Sequence, residues 1–449
     1  MKKLNLKTAA IPKLFFSYFL PSLVAMLALS TYSTIDGIFV GKKLGENALA
    51  AIGIAWPIFP ILIAFELLFS VGAAAMASYF LGRGKGFRAR IVFSSVFYFA
   101  LSTSLIGGIV LYFYSDSIAL LLGSSVTLLP LVRHYTEVIY LGAFIIILHP
   151  MLDIFAINDK QPVLAMIAMI VGSLANIVLN YVFLFILELG IASSALATLL
   201  GHGIGMCILL QHFLCKKGDL YLIKAFDIYA LLGATKNGIP QSSSEISVSI
   251  MMLILNHTIE GIAGDRGLAI YSVLMYIGII PFTILLSMAQ GVQPIASFNY
   301  GAGLMERVRG VFNFGLVFSF GGGIALYFLA FISSPFLIAW ILPNDIAMRD
   351  ASLLSDTQNA MKFYFLGYIL LGVNIVSAIF FQSIQRTLSS FIITFSYTLL
   401  FALCFVMILP KMYGFNGVIL SYPLGTLCAT FVSFGIILYE RKRGILKNH

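Results

Sequence analysis

The sequence predicts an all-α polytopic membrane protein, with twelve transmembrane helices built as two six-helix repeats related by a pseudo-two-fold axis along the membrane normal. Three observations predict it. Of 449 residues, 60% are hydrophobic and 10% charged, and the mean hydropathy of +1.00 lies far outside the range of soluble globular chains. Apolar runs of the length that crosses a bilayer, about 20 residues, recur from end to end. The second half of the chain also repeats the first.

The spans fall at roughly 14–40, 48–80, 91–113, 134–157, 163–187, 191–214, 237–257, 268–299, 311–333, 360–384, 388–409 and 415–439. The first contains Pro21 and closes on Asp36-Gly37-Ile38-Phe39-Val40-Gly41. It lacks a small-residue cleavage site and carries an acid, which reads as a retained helix rather than a signal peptide. The second span holds Glu66 near its middle, and the fourth holds His149 and Asp153. Ser173, Asn176 and Asn180 in the fifth stand at i, i+3 and i+7, on one helical face. Ser194, Thr198 and His202 do the same in the sixth. Glu245 heads a stripe on the seventh with Gln241, Ser242, Ser249 and Asn256. A polar joint, 215–236, separates an amino-terminal bundle, 1–214, from a carboxy-terminal bundle, 237–449. It is expected to carry a short interfacial helix.

The formal charge of +9 is a matter of topology. Seven of the 27 lysines and arginines fall in odd-numbered loops: Lys42, Lys43, Arg133, Arg266, Arg349, Lys362 and Lys411. The others, among them Lys2, Lys3 and Lys447, stand at the termini and in even-numbered loops, so the positive-inside rule places both termini in the cytoplasm. The expected location is the plasma (inner) membrane, multi-pass. Basic residues spread among loops do not make the clustered face that nucleic acid needs. Cys207, Cys215, Cys404 and Cys428 lack metal or disulfide spacing, and His149 and His202 read as satisfied core histidines, with no second histidine or cysteine at ligand spacing from either.

A shift of 219 residues lays Gly72-Ala-Ala-Ala-Met-Ala-Ser78 and Gly82-Arg-Gly84 on Gly291-Val-Gln-Pro-Ile-Ala-Ser297 and Gly301-Ala-Gly303, Pro21 on Pro240, and Gly45 on Gly264. A slightly larger shift aligns Gly142 and Phe155 with Gly367 and Phe380, and Gly190 with Gly414. Six spans per half is an even number, so both halves enter the membrane in the same direction. This is the parallel-repeat class, whose substrate cavity lies between repeats. Asp36 falls on Leu255, so the acid belongs to one half alone.

An acid within a membrane span costs about 2.5–3.5 kcal/mol on insertion scales, and one that is kept usually serves ions, protons or substrate. At 1.5 Å per residue Asp36 stands about 33 Å above Leu14, near the outer edge of a hydrocarbon core about 30 Å thick. Tyr32 lies one turn below it. Asn176, Asn180 and Thr198 would surround the carboxylate with hard oxygen donors suited to Na⁺, or with hydrogen-bond partners for a protonated acid. The alternative is that these residues bond helix to helix, as Ser, Thr and Asn commonly do in membranes. Tyr32, Glu66, Asp153 and Glu245 are candidates to line a cavity or meet substrate. The loops at Gly82-Arg83-Gly84 and Gly301-Ala302-Gly303 lack phosphate-loop spacing, and no catalytic constellation converges.

In these residues the chain resembles the multidrug and toxic compound extrusion (MATE) family over nearly its whole length. The resemblance is carried by Pro21 with Asp36 to Gly45, by Gly72 to Gly84, by Asn158-Asp159 with Pro162, by Asn176-Ile-Val-Leu-Asn180 and by Gly190 to Thr198. The wording around Asp36 is nearer the DinF-like and MepA-like branch. The resemblance implies a secondary antiporter without enzymatic activity or cofactor, exporting organic, mostly cationic and lipophilic compounds against H⁺ or Na⁺ by alternating access. Carried over by motif, the coupling-ion residues are Asp36, Asn176, Asn180 and Thr198, and the hinge is Pro21. No metal other than Na⁺ at Asp36 is implied. Many relatives have an aspartate where this chain has Asn180, and the loss of that charge favours protons. The partners expected are organic cations and the lipid bilayer, with the chain a monomer. A lipid-linked oligosaccharide flippase is the nearest rival and would need a basic cavity; an intramembrane transferase would need nucleophile, base or metal residues.

Overall fold

The computed structural model describes residues 5–341 and 351–444. Lys2, Lys3, Arg349 and Lys447 of the charge pattern, and the outermost ends of both predicted bundles, lie outside the described residues. Among the described residues the chain is helical, with no strand. In order, the helices are α1 (Ile11–Leu44), α2 (Glu46–Ala55), α3 (Ile58–Gly82), α4 (Gly86–Phe113), α5 (Ser115–Leu121), α6 (Leu129–Leu141), α7 (Ala143–Asn158), α8 (Pro162–Tyr181) and α9 (Ile191–Leu214). Beyond the joint come α10 (Ile228–Gly301), α11 (Met305–Ile341), α12 (Ala351–Tyr364), α13 (Leu366–Ser383), α14 (Thr387–Phe395) and α15 (Phe401–Lys442). Single π-helical segments, Val182–Ile186 and Ser396–Leu400, extend α8 and α14.

Among the described residues ten stretches are long and apolar enough to cross a membrane, and α6 with α7, bent by 50°, makes an eleventh. The bend falls at Gly142, where a Cβ would stand 2.2 Å from the Leu199 side chain. The longest stretch, Thr387–Lys442, is 56 residues and makes two crossings. Gly414, at φ 54°, interrupts it, and Gly425 packs on Ala402 with only 3.0 Å for an added Cβ. In a straight helix those two residues would be about 35 Å apart, so the chain folds back on itself. Gly414 holds a left-handed conformation that a side chain would strain. The protein therefore has twelve spans, six in each repeat.

The duplication is visible in the backbone. Positive φ occurs at matched places: Gly45 (82°) and Gly264 (56°), Gly84 (73°) and Gly303 (75°), Gly190 (78°) and Gly414 (54°), and at the non-glycine pair Lys160 (64°) and Gln385 (61°).

The chain divides into two compact units, one containing Leu20–Ser242 and the other Asn5–Phe19 with Ser243 onward. The division passes through α1, one residue before Pro21, which cannot donate the helical hydrogen bond. The foot of α1 belongs to the second unit. There Phe15 meets Phe314 and Phe318, each at a centroid distance of 5.1 Å, and Arg307 Nη2 donates to the Ala9 carbonyl at 2.6 Å. Above Pro21 the same helix belongs to the first unit.

Residues 215–227 carry no helix, and the remainder of the expected joint, 228–236, is the start of α10. Side chains of the first unit hold 215–227 extended. Asp159 Oδ1 accepts the backbone N–H of Asp219 (2.9 Å) and Leu220 (3.0 Å), and Oδ2 pairs with His212 Nε2 at 2.8 Å. Burial pushes the Asp159 carboxyl above its ordinary pKa, against the pull of His212 and the Leu220 N–H. Ser94 and Ser95 accept the N–H groups of Ile223 and Asp227, and Arg90 lies 3.9 Å from the Tyr221 ring centroid. Asp227 then caps α10 by accepting the Tyr229 N–H at 2.9 Å. A backbone held by side chains at each step has no need of helical hydrogen bonds of its own.

Candidate functional site

Two glycines set the geometry of the site. A Cβ on Gly172 of α8 would come within 2.7 Å of the Gly201 carbonyl oxygen, and one on Gly201 of α9 within 2.7 Å of the Gly172 oxygen. The two backbones therefore touch, a contact that only small residues allow in membrane helices. It brings the polar faces of α8 and α9 edge to edge, and Asn176 Nδ2 donates to Thr198 Oγ1 at 3.2 Å.

α1 brings Asp36 to the outer part of that seam. Asn180 Nδ2 donates to Asp36 Oδ1 at 2.7 Å, and Ser194 Oγ donates to the same oxygen at 2.6 Å. Asn180 and Ser194 have no exposed surface, and Asn176 has 1%. Hydrogen bonds to a charged group contribute about 1.5–3 kcal/mol each, so two of them match the insertion cost of about 2.5–3.5 kcal/mol for the acid. Asn176 Oδ1, Asn180 Oδ1 and Ser173 Oγ are buried without a hydrogen-bond partner. The group is rich in polar atoms able to accept a proton donor or a cation.

Inward of Asp36, one turn along α1, Tyr32 meets two histidines. Its hydroxyl lies 2.9 Å from His202 Nε2, and His202 Nδ1 lies 3.0 Å from His149 Nδ1. A cavity of about 10 Å³, lined by Tyr32, His149, Met169, Gly172, Ser173, Asn176, Thr198, Gly201 and His202, has room for about one water molecule. Its lining contains no lysine or arginine.

Of the residues singled out from sequence, Asp36, Asn180, Asn176 and Thr198 lie along one seam, with Tyr32 beside it. Pro21 lies inside α1. Glu66, on α3, is buried at 5% exposure, and Asp153, on α7, at 9%; neither hydrogen-bonds Asp36 or lines the cavity. Glu245 belongs to the second unit, beside Ser244, which bonds Tyr397. Two features were not visible in the sequence reading. Ser194, noted only as sharing a face with Thr198, is a direct partner of Asp36. His149 has a histidine neighbour after all, 53 residues away in sequence and on another helix, and its Nε2 stays unpartnered.

A model of the MatE family matches residues 21–182 and 240–408, one segment in each repeat. The chain belongs to the MatE family. Its members are transporters and not enzymes. The multidrug export protein MepA of Staphylococcus aureus (strain MSSA476) is 24% identical over 369 residues, which are 80% of each chain. MepA of Staphylococcus saprophyticus (strain ATCC 15305) is 25% identical over 284 residues, and the match spans 62% of each protein. Among solved structures, the outward-facing conformation of a multidrug resistance MATE family transporter of the MOP superfamily superposes with a TM-score of 0.91, covering 100% of this chain and 99% of that one at 23% identity. At that identity the likeness speaks for the fold, which for this MatE chain is two six-helix repeats.

Proposed function

We propose that this chain is a secondary active multidrug efflux transporter of the plasma membrane, with both termini cytoplasmic, which exchanges lipophilic organic cations for protons by alternating access. The observation that carries the reading is Asp36, a carboxylate inside a membrane helix, held on one oxygen by Asn180 and Ser194. The name of the staphylococcal relatives, multidrug export protein, agrees with export as the direction.

Protons are preferred to Na⁺ on the chemistry of the neighbours. Asp36 is the only acid in the group, and its nearest partners turn donors, an amide N–H and a hydroxyl, toward it. A carboxylate so held needs one proton to become neutral, whereas Na⁺ would require the amides to present their oxygens. Outward-facing Asp36 takes the proton, α1 shifts at Pro21, and the bound organic cation loses its counter-charge and leaves. Asn176 and Thr198 hold the seam in register beneath it. Glu245, with Tyr397 and Ser244 nearby, supplies a second acidic position for a cation in the carboxy-terminal repeat. The transporter acts as a monomer in the lipid bilayer.

The test is ethidium efflux from proteoliposomes under an imposed pH gradient and, separately, an imposed Na⁺ gradient. Efflux driven by the pH gradient alone is expected. Efflux that needs Na⁺ and ignores pH would overturn the proton assignment, and no efflux under either gradient would overturn the transport reading.

A further inference from the structure

The first unit holds a second set of titratable side chains that the Asp36 arrangement does not use. Tyr32 of α1, His202 of α9 and His149 of α7 form an unbroken hydrogen-bonded chain, with steps of 2.9 and 3.0 Å. Consecutive rings stand nearly edge to face, at 82° and 80°. Tyr32 lies one helical turn from Asp36. At the other end Asp153 lies one turn beyond His149, at i+4 on the same face of α7, toward the end that carries Asp159. His149 Nε2 and Asp153 Oδ1 are both buried without a partner. Tyr135, from α6, is within electrostatic reach of Tyr32 and Asp36.

Helix adhesion does not call for histidine at these places, as the other repeat demonstrates. The shift that aligns Gly142 with Gly367 lays His149 on Asn374, and the one that aligns Gly190 with Gly414 lays His202 on Thr426. Asn374 Nδ2 donates to the Thr426 carbonyl at 3.2 Å and to Thr430 Oγ1 at 3.1 Å, and Asn374 Oδ1 accepts from Ser433 Oγ at 2.7 Å. The carboxy-terminal repeat thus closes this position with an amide and hydroxyls. The amino-terminal repeat places two imidazoles there and leaves one ring nitrogen unpaired, and titratable groups kept within a membrane span by default mark a path or a site.

We infer that Tyr32, His202 and His149 form a proton path linking Asp36 to Asp153 inside the amino-terminal repeat. The inference rests on the proton-coupled reading above. With the Tyr32 O–H donating to His202 Nε2, His202 Nδ1–H donates to His149 Nδ1, and His149 carries its own proton on Nε2. When a proton arrives at the Tyr32 oxygen, the hydroxyl proton passes to His202 Nε2. The His202 Nδ1 proton passes to His149 Nδ1, and the His149 Nε2 proton leaves toward Asp153. One O–H and two N–H bonds break and the same number form, one proton enters and one leaves, and all three residues end neutral. Both rings line the small cavity, and exchange of each ring's proton between its two nitrogens through a water there restores the first arrangement.

The test uses the full chain in proteoliposomes with an entrapped pH dye, ethidium as the probe, and the variants His149→Phe, His202→Phe, His202→Ala and Tyr32→Phe. Each histidine variant should bind ethidium within about twofold of wild type, and in all four variants ethidium-dependent proton flux should fall by about 100-fold or more, the scale of a lost proton-transfer group. Added imidazole should restore flux to His202→Ala, which a packing role would not produce. A histidine variant that binds ethidium and moves protons at the wild-type rate would overturn the path while leaving proton coupling intact. If the wild type moves no protons with ethidium, the underlying reading fails instead. Should the histidine variants not fold, Tyr32→Phe, which removes one oxygen atom, decides between the same two results.

Discussion

The two repeats share a scaffold and differ in what fills it. In the amino-terminal repeat Asp36 is bonded to Asn180 and Ser194. Its counterpart, Leu255, lies in an apolar cluster with Met251, Ala402, Val406, Leu399 and Leu403. Tyr32 corresponds to Met251, so the carboxy-terminal repeat has replaced both the acid and the tyrosine below it with aliphatic packing. Thr198 corresponds in turn to Tyr422, which stacks on Tyr364 at a centroid distance of 4.6 Å. Duplication preserved the helices and their turns. The chemistry at equivalent positions diverged, and where one repeat holds an acid the other packs a leucine.

Making the repeats alike should therefore abolish function. Asp36→Leu copies the carboxy-terminal arrangement, and pH-gradient-driven ethidium efflux should drop by about 100-fold or more, as when an interaction essential to the coupled step is removed. The reverse exchange probes the other repeat. Leu255→Asp puts a carboxylate into the apolar cluster with no donors waiting, a change expected to cost about 3 kcal/mol or more and to lower the melting temperature in detergent without creating a second coupling site. A stable Leu255→Asp protein would break the comparison.

Asp159 is a further difference, since its counterpart at the larger shift is Ile384. Asp159→Ala leaves the Asp219 and Leu220 N–H groups and His212 without their acceptor, at a cost of about 2 kcal/mol. The segment 215–227 should become the first site of protease cleavage. The smallest effect is expected for Ser194→Ala, which removes one of two donors to Asp36. A loss of about 1.5 kcal/mol would slow gradient-driven efflux by about tenfold, measured beside Asn180→Ala as the matching deletion.

How much of this was legible in the sequence depends on the range of the interaction. Span length and the duplicated glycines are local signals, so twelve helices in two repeats could be read directly. Breaks within spans were less visible. The fourth span bends at Gly142, where Leu199, from another helix, occupies the space a side chain would need, and nothing near Gly142 in sequence announces Leu199. The joint was expected to carry a short helix, and its polarity does not show that Asp159, Ser94 and Ser95, from distant positions, hold 215–227 extended before α10 begins.

The site shows the same division. Periodicity along α8 and α9 places Asn176, Asn180, Ser194, Thr198 and His202 on polar faces, and the acid at 36 stands out in any apolar run. Periodicity cannot say which residue of one face meets which residue of another. The Ser194 bond to Asp36 spans 158 residues and the His149–His202 contact spans 53, so both emerged only once the helices were packed.

The central claim is that Asp36 carries the coupling proton. The most direct measurement is ethidium-triggered proton release from the purified chain in detergent, followed with a pH dye, for wild type and for Asp36→Asn. Wild type is expected to release protons on binding ethidium, and Asp36→Asn to bind ethidium and release none. Proton release from Asp36→Asn equal to that of wild type would contradict the claim.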